Sequence, residues 1–239
     1  RSSDLTLKSN GIFNSEQAFS VMGIGPQDNI FSIDAAELEQ RLKKCPAIRR
    51  ASVKRQISSN PTLLVDIDAR IPVAWIDCPE LGIHPGDATY GALADKEGVI
   101  FPCMEQVHMP YIREKRMPSV TLRPPSSGKL SYGVSIRELE APMKLIELLS
   151  GTVTEYLPSI VSITTPNDWS FCVRFTNDCQ ATFSHYGLEH QVEKLSRALR
   201  HARQTHRKIS SINLIPEHNI PVIFDNSYED IPLAEPIEE

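Results

Sequence analysis

The sequence predicts an α+β protein with two domains, and three observations lead to this prediction. The chain has 239 residues, of which 41% are hydrophobic, so it can form one large or two modest cores. Residues 1–70 follow helix-type and strand-type periodicity in the order β-α-α-β-β. Residues 71–224 instead contain mainly short strands and loops, and in the whole chain proline outnumbers glycine 18 to 11. The expected architecture is a small β-α-α-β-β domain followed by a larger mixed or antiparallel β domain with flanking helices.

Each element of the first domain has its own sequence signal. Leu5–Lys8 alternates and predicts an opening strand. Asn14 is the expected N-cap of a first helix that Gly23 ends, and Asp34 is the expected N-cap of a second helix. Apolar residues at every second position then predict a hairpin. Its strands lie at residues 51–55 and 63–69, and its turn lies at residues 58–61. The helices are expected on one face of a three-stranded sheet.

The second domain is predicted from shorter signals. Period-two and apolar runs predict strands at residues 72–75, 160–163, 169–175, 180–183, 209–215 and 220–224, and a hairpin within 93–101. Helical spacing predicts helices at residues 143–149 and 187–208. Residues 102–135 are rich in proline, serine and basic side chains and predict a long irregular connection. Residues 225–239 contain six acidic and no basic side chains, which predicts a disordered tail.

Composition and motif searches exclude several classes of function. A net charge of -5 argues against a general nucleic-acid binder, because phosphate binding needs a clustered basic excess. No apolar run approaches the roughly 18–20 residues that span a bilayer. The five cysteines show no CxxC spacing and are expected to be ordinary buried thiols. His185 and His190, like His201 and His206, are five residues apart, which does not suit two ligands on one helix face. No serine-hydrolase elbow or dinucleotide-binding loop is present, so no catalytic residue, metal or cofactor is expected.

The helix at residues 187–208 has an unusual charge distribution. Its apolar stripe is Leu188, Val192, Leu195, Leu199 and Ala202. Its other faces are mostly basic and include Lys194, Arg197, Arg200, Arg203, Arg207 and Lys208. We expect a solvated face, since charged runs on amphipathic helices usually are solvated. Contact with nucleic acid, anionic lipid or an acidic partner helix stays open as an alternative.

A series of motifs resembles a known family in order and spacing. The first two are Pro46-x-Ile48-x-x-Ala51-x-Val53-x-Arg55 and Thr62-Leu63-x-Val65-x-Ile67-x-x-Arg70-x-Pro72-Val73-Ala74. Before them stands Asn29-Ile30-Phe31-x-Ile33-Asp34. After them come Asp95-x-x-Gly98-Val99-x-Phe101, Gly187-x-x-x-x-Val192-x-Lys194-Leu195, Ile212-x-Leu214 and Pro221-Val222-x-Phe224. Together they resemble the POTRA domain and following β domain of the bacterial cell-division protein family FtsQ, called DivIB in Gram-positive bacteria.

The chain also departs from the family pattern. Ala69 stands where the family usually has glutamate, and Asn60-Pro61 inverts the usual Pro-Asn. Asn213 and Ile215 occupy positions where aspartate and arginine are common. Residues 102–135 match poorly. The resemblance therefore indicates a divergent member.

The resemblance implies a function without catalysis. A protein of this family is a single-pass inner-membrane protein at the division septum. The present chain, which begins at Arg1, would be its periplasmic or extracytoplasmic part, with a membrane anchor expected upstream. It would be a scaffold that binds a coiled-coil complex of FtsB-like and FtsL-like proteins, which acts on septal peptidoglycan synthesis. Its POTRA domain would contact other divisome membrane proteins.

The resemblance also implies a binding site. In the family, a partner adds a strand to the last strand of the β domain. Here that strand corresponds to residues 219–224, and an edge strand leaves backbone groups that a partner can complete. The candidate residues are Asn219, Ile220, Pro221, Val222, Ile223 and Phe224, with Tyr228 as a further aromatic contact. Pro221 is expected to be tolerated because an edge strand can lack one donor.

Two other functions were weighed against this one. A POTRA-containing component of outer-membrane protein assembly or secretion would carry tandem POTRA units and a strand-rich barrel, and this chain shows neither. An envelope enzyme using the loop at residues 102–135 would need a bound metal or measurable turnover.

Overall fold

The computed structural model describes residues 5–25, 28, 34–56, 62–113, 115–151 and 157–225. Within these ranges the protein is α+β, which confirms the predicted fold class. The strands form two sheets, one of three strands and one of nine. We call them the small sheet and the large sheet. The expected extended segment at residues 29–33 and the hairpin turn at 58–61 lie outside the described residues.

The small sheet is formed by the N-terminal strand and the predicted hairpin. Its strands are β1 (Leu5–Ser9), β2 (Ile48–Gln56) and β3 (Thr62–Ala69). The central strand is β3, which pairs parallel with β1 and antiparallel with β2. Every second side chain of β3 is buried, namely Leu63, Val65, Ile67 and Ala69. One face of the sheet is therefore apolar and covered, as the period-two pattern predicts.

Both helices of this part begin where the sequence predicts, and the first also ends at Gly23 as predicted. They are α1 (Ser15–Met22) and α2 (Ala35–Lys43). Asn14 Oδ1 accepts from the Gln17 backbone N–H at 2.9 Å, and Gln17 Oε1 accepts from the Asn14 N–H at 2.8 Å. These two bonds are a capping box. Gly23 ends α1 with a φ of 69°, which glycine adopts without strain. Asp34 caps α2 by accepting from the Ala36 N–H at 3.1 Å.

The large sheet contains the other nine strands. In chain order they are β4 (Ala74–Asp77), β5 (Ala92–Ala94), β6 (Ile100–Pro102), β7 (Ser119–Thr121), β8 (Ile160–Thr164), β9 (Ser170–Phe175), β10 (Gln180–Ser184), β11 (Lys208–Asn213) and β12 (Val222–Asp225). Across the sheet they follow the order β12-β11-β10-β9-β8-β7-β4-β5-β6. The pairs β4–β7, β7–β8 and β10–β11 are parallel and the other pairs are antiparallel. The sheet is thus mixed, as expected.

Three helices accompany the large sheet: α3 (Glu105–Ile112), α4 (Glu140–Gly151) and α5 (Leu188–Gln204). Leu145 of α4 and Leu195 of α5 belong to one buried cluster with Phe171 and Phe183 of the sheet. These two helices therefore cover one face of the sheet. α5 ends four residues before the predicted end at 208, because His206 turns the chain with a φ of 52° and Lys208 already begins β11.

Residues 102–135 are not the irregular connection that the sequence predicted, since they contain α3 and β7. Pro110 lies inside α3 and cannot donate a backbone hydrogen bond to Gln106 O, four residues earlier. Gln17 Nε2 donates to this oxygen instead, at 2.6 Å. The sequence pattern missed the helix because an interior proline usually breaks one. The compensating hydrogen bond comes from a residue 89 positions away.

β7 was missed for a different reason. It has three residues, and only Val120 among them is buried. So short a segment has no measurable periodicity. It becomes a strand because it fills the space between β4 and β8 and pairs parallel with both.

The two sheets share a core at their junction. Trp75, Leu93 and Phe101 of the large sheet are buried in the same cluster as Met22 and Leu63. This apolar contact is continuous with the core of the small sheet. The position of the small sheet against β4, β5 and β6 is therefore set by side-chain burial.

A buried ion pair lies at the same junction. Arg70 Nη1 donates to Asp95 Oδ2 at 2.6 Å, and their side chains are 13% and 4% exposed. Asp95 Oδ1 accepts from the backbone N–H groups of Glu97 and Val99 at 3.0 and 2.9 Å. The Asp95-x-x-Gly98-Val99 motif thus stabilises the β5–β6 hairpin and ties it to the end of β3. No helix in the described part of the chain is long and apolar enough to cross a membrane.

Candidate partner-binding edge

β12 is the last strand of the large sheet, and within the described residues only β11 pairs with it. The two strands are antiparallel, with a bulge in β11 between Ile209 and Ser211. The opposed residues are Ile212 and Val222, Ser211 and Ile223, and Ile209 and Phe224. The structure thus places β12 at the edge position that the sequence predicts.

The hydrogen-bond alternation shows which backbone groups face outward. The Asn213 N–H donates to Pro221 O at 3.0 Å, so these two residues are a hydrogen-bonded pair. In an antiparallel ladder bonded and non-bonded pairs alternate. The backbone groups of Val222 therefore point to the free edge, those of Ile223 point to β11, and those of Phe224 point outward again.

This alternation corrects the expected role of Pro221. Its carbonyl faces β11, so its missing N–H would also have faced inward, toward Asn213. The proline removes a donor from the internal ladder and none from the free edge. The outward donors of Val222 and Phe224 are intact.

The side chains of β12 are divided between the two faces of the sheet. Val222 and Phe224 are half-buried and pack against the core under α5. The Arg207 guanidinium lies 3.5 Å above the centre of the Phe224 ring, a cation–π contact. Ile223 points to the other face and is 64% exposed. β12 thus has an anchored side and one exposed apolar side chain.

The other candidate residues lie outside β12. Asn219 is exposed and adopts a φ of 53°, and Ile220 is half-buried against the core. Both, with Pro221, belong to the connection between β11 and β12. Asp225 ends β12 and is not part of a tail. Tyr228 and the rest of the expected tail, residues 226–239, lie outside the described residues.

The outer face of the sheet, away from α4 and α5, is polar. Seven residues, one from each of seven neighbouring strands, lie side by side in a row across this face. They are Trp75, Ser119, Ser162, Arg174, Gln180, Ser211 and Ile223. Trp75 is buried by the small-sheet core, whereas Ile223 at the other end of the row is open. Ile223 is therefore an apolar side chain at the end of a polar row. The sequence alone could not show this, since it requires the strand order.

The basic residues of α5 are not all solvated. Five of them are exposed, on α5, just after it or at the start of β11, namely Arg197, Arg200, Arg203, Arg207 and Lys208. Lys194 is only 5% exposed, so its assignment to a solvated face was wrong. The sequence placed it there because lysine is rarely buried. Two of the exposed cations lie beside the edge strand, since Arg207 contacts the Phe224 ring and Lys208 faces Asp225.

The titratable side chains of the described residues were expected to form no metal site. Among the described residues no group of three or more His, Cys, Asp or Glu side chains could hold a metal ion. Burial raises the pKa of the Cys103 and Cys179 thiols to about 11, so both are protonated at neutral pH. Burial lowers the pKa of His108 to about 4 and keeps its imidazole neutral. Its Nδ1 accepts from the Met104 N–H at 2.9 Å, at the start of α3.

Comparison with known families gives one match. Residues 1–68, which contain the small sheet, α1 and α2, match the model of the POTRA domain, FtsQ-type. This part of the chain is an FtsQ-type POTRA domain. The match confirms the resemblance to the FtsQ/DivIB family that the motifs indicated. No curated protein matches the chain.

The match indicates a general class of function. An FtsQ-type POTRA domain indicates a role in bacterial cell division. The family is a non-catalytic, extracytoplasmic scaffold family of the divisome, so protein–protein contacts are the expected kind of interaction. These statements rest on the POTRA domain, and the large sheet lies outside the matched residues.

Proposed function

We propose that this chain is the extracytoplasmic part of a divisome scaffold that binds a coiled-coil pair of FtsB-like and FtsL-like proteins. In this proposal residues 1–70 are the POTRA domain and residues 71–224 are the partner-binding domain. A membrane anchor upstream of Arg1 holds the chain at the inner membrane of the division septum. The scaffold contributes to control of septal peptidoglycan synthesis through its partners and catalyses no reaction.

The binding mode in this proposal is strand addition to β12. The observation that supports it best is the free edge, where the outward backbone groups of Val222 and Phe224 have no strand partner among the described residues. A partner segment in extended conformation would complete these hydrogen bonds, and alternate side chains would give specificity. Ile223, 64% exposed on the outer face, would be an apolar contact for that segment.

Charge supports a partner segment with acidic residues. Arg207 and Lys208 are exposed and contact Phe224 and Asp225 of the edge strand, and Arg197 and Arg200 are exposed on α5. Lys208 Nζ is 3.9 Å from Asp225 Oδ2, a long contact between two partly exposed groups. Such exposed cations speed association with an acidic partner, and their effect is weakened by salt. Raising the salt concentration should therefore slow association more than it speeds dissociation.

The decisive experiment removes one outward donor and keeps the strand. Val222→Pro deletes an N–H that faces the free edge, whereas Val222→Ala shortens the same side chain and keeps that N–H. We expect Val222→Pro to weaken binding of the FtsB–FtsL-like pair about tenfold or more, since a lost hydrogen bond and a clash with the added strand both act. Val222→Ala should change affinity about threefold or less. Affinity is measured by surface plasmon resonance with residues 1–239.

Two further samples complete this test. A chain truncated before Asn219 lacks β12 and should lose binding, with folding checked by circular dichroism. Ile223→Asp places a charge on an exposed position and should weaken binding with little change in thermal stability. Equal affinities for Val222→Pro and Val222→Ala would contradict strand addition at this edge. Absence of binding by the intact chain would contradict the proposed partner.

A further inference from the structure

Lys194 is a buried cation beside the edge strand. It lies in the middle of α5 between Val192 and Leu195, which face the core. Its side chain is 5% exposed, although lysine is almost never buried this far without a partner. Burying an ammonium group costs several kcal/mol unless hydrogen bonds replace its lost water. The residue must therefore have a specific contact in the folded state.

That contact is a backbone carbonyl. Lys194 Nζ donates to Pro216 O at 2.8 Å, across 22 positions of the chain. No carboxylate of the described residues forms an ion pair with Lys194. Its charge is therefore directed at one carbonyl dipole, in contrast to the paired Lys43 and Lys144. Because a hydrogen bond from a charged donor is stronger than a neutral one, this contact holds Pro216 firmly.

Pro216 lies in the connection between β11 and β12. At its start the Leu214 N–H donates to Thr182 O of β10 at 2.9 Å, and Asn213 Oδ1 accepts from the Ile215 N–H at 3.1 Å. At its end Pro221 O accepts from the Asn213 N–H. From α5, Lys194 donates a hydrogen bond to this connection. It therefore ties the connection to the helix that covers the sheet.

β12 depends on this connection for its position. The strand has four residues, pairs on one side only and faces a bulge in β11. So short an edge strand has few hydrogen bonds of its own to resist fraying or a shift of register. A shift by one residue would turn Ile223 toward the core and Val222 toward solvent. The connection must therefore be fixed if the edge is to present constant groups.

We propose that Lys194 is a positioning residue for the partner-binding edge. By holding Pro216 O, its ammonium group fixes the connection and with it the register and order of β12. The strand is then ready for a partner before the partner arrives, which lowers the entropy cost of binding. The role in binding rests on the proposed function, whereas the effect on β12 can be measured without any partner.

The test compares three variants by hydrogen–deuterium exchange and by partner affinity. Lys194→Met keeps the unbranched chain and removes the donor, Lys194→Arg keeps a charged donor, and Lys144→Met changes a half-exposed lysine elsewhere on the covering helices. We expect Lys194→Met to speed amide exchange in residues 211–225 about tenfold and to weaken partner binding about tenfold, because Pro216 O is left without its donor. Lys194→Arg should keep amide exchange and partner affinity close to those of the wild type. Lys144→Met should change neither quantity.

The outcomes separate this proposal from the proposed function. Unchanged exchange in residues 211–225, or faster exchange by the same factor in β8 and β9, would overturn the positioning role and leave only a contribution to general stability. Faster local exchange with unchanged affinity would overturn its link to binding. If the intact chain binds no FtsB–FtsL-like pair, the proposed function fails, and the exchange data alone decide whether Lys194 fixes the edge strand.

Discussion

The two edge strands of the large sheet differ in whether other residues cover them. At one end, β12 has an open side and an exposed Ile223. At the other end, β6 has Ile100 and Phe101 fully buried. A segment of the connection between β7 and α4 lies along β6: the Ile100 N–H donates to Val134 O at 3.4 Å, and the Gly133 N–H donates to Ile100 O at 2.8 Å. Within the described residues, the same sheet therefore has one closed edge and one free edge.

The difference shows how one edge strand is protected from unwanted pairing while another stays accessible for pairing. Exposed sheet edges invite unwanted pairing, and proteins usually cover them or make them short and irregular. The β6 edge is covered by residues 133–136 and by the POTRA domain. The β12 edge is only four residues long, faces a bulge and lies beside exposed cations. Such an edge resists pairing with copies of itself, yet its outward backbone groups stay accessible to a partner with complementary charge.

The largest expected effect is at the closed end. Phe101→Ala removes a fully buried ring from the core shared by the two sheets. We expect the free energy of unfolding to fall by about 4 kcal/mol, because both burial and close contact are lost. The change is measured by urea denaturation followed by circular dichroism. A loss below about 1 kcal/mol would show that the two sheets do not depend on this contact.

The buried ion pair at the same junction should come next. Arg70→Met leaves the Asp95 carboxylate, 4% exposed, without its cation. We expect a loss of about 3–4 kcal/mol, since breaking a buried pair leaves an uncompensated charge. The matched control is Arg49→Met, which breaks pairs of a 41% exposed arginine with Asp68 and Glu97. It should cost about 1 kcal/mol or less. Equal losses of stability in the two variants would show that the buried pair of Arg70 and Asp95 contributes no more than an exposed pair.

His108 gives the closed end a dependence on pH. Burial lowers its pKa from 6.5 to about 4 in the folded state, so below pH 6.5 the unfolded chain binds this proton first. Stability contributed by the neutral ring is complete above pH 6.5 and is lost as pH falls toward about 4, by at most about 3 kcal/mol. Urea unfolding at several pH values measures this loss.

His108→Gln is the control for the pH effect. It cannot titrate in this range but can still accept the Met104 N–H with its side-chain oxygen. Its stability should fall less steeply between pH 6.5 and 4 than that of the wild type. Parallel curves for the two proteins would assign the acid sensitivity to other groups.

The smallest expected effect is at the free end. Ile223→Ala shortens a side chain that is 64% exposed, so stability should change by about 0.5 kcal/mol or less. Ile100→Ala, at a fully buried position of β6, should cost about 2–5 kcal/mol. Denaturation of the two variants side by side measures the contrast between the edges. Similar losses would mean that Ile223 is packed against a part of the chain and that β12 is not a free edge.

Much of the fold could be predicted because its signals are local. The capping box of Asn14 and Gln17 and the left-handed Gly23 fix α1 within a few residues of sequence. The period-two burial of β3 likewise follows directly from the pattern Leu63, Val65, Ile67 and Ala69. In contrast, α3 depends on the bond from Gln17 to Gln106 O, and β7 depends on having β4 and β8 on either side. Neither cause is visible in a local window.

The candidate site also has some features that the sequence predicts and others that only the tertiary structure shows. The sequence predicts the last strand near its true position, and the family resemblance indicates Val222, Ile223 and Phe224 as candidate residues. It could not assign their directions, because outward and inward backbone groups are set by the pairing of Asn213 with Pro221. It assigned Lys194 to solvent, because a lysine on a basic helix usually is exposed.

The sequence by itself determined most of the elements and their order, though not α3 and β7, together with the POTRA-type beginning and the absence of familiar catalytic motifs. These follow from capping, periodicity and motif spacing, which act over a few residues. Tertiary structure alone decided that β6 is closed and β12 open, that Arg70 and Asp95 meet, and that Lys194 is buried against Pro216. Each of these results from contacts between residues far apart in the chain, whose free energy depends on which surfaces the folded sheets leave exposed to water.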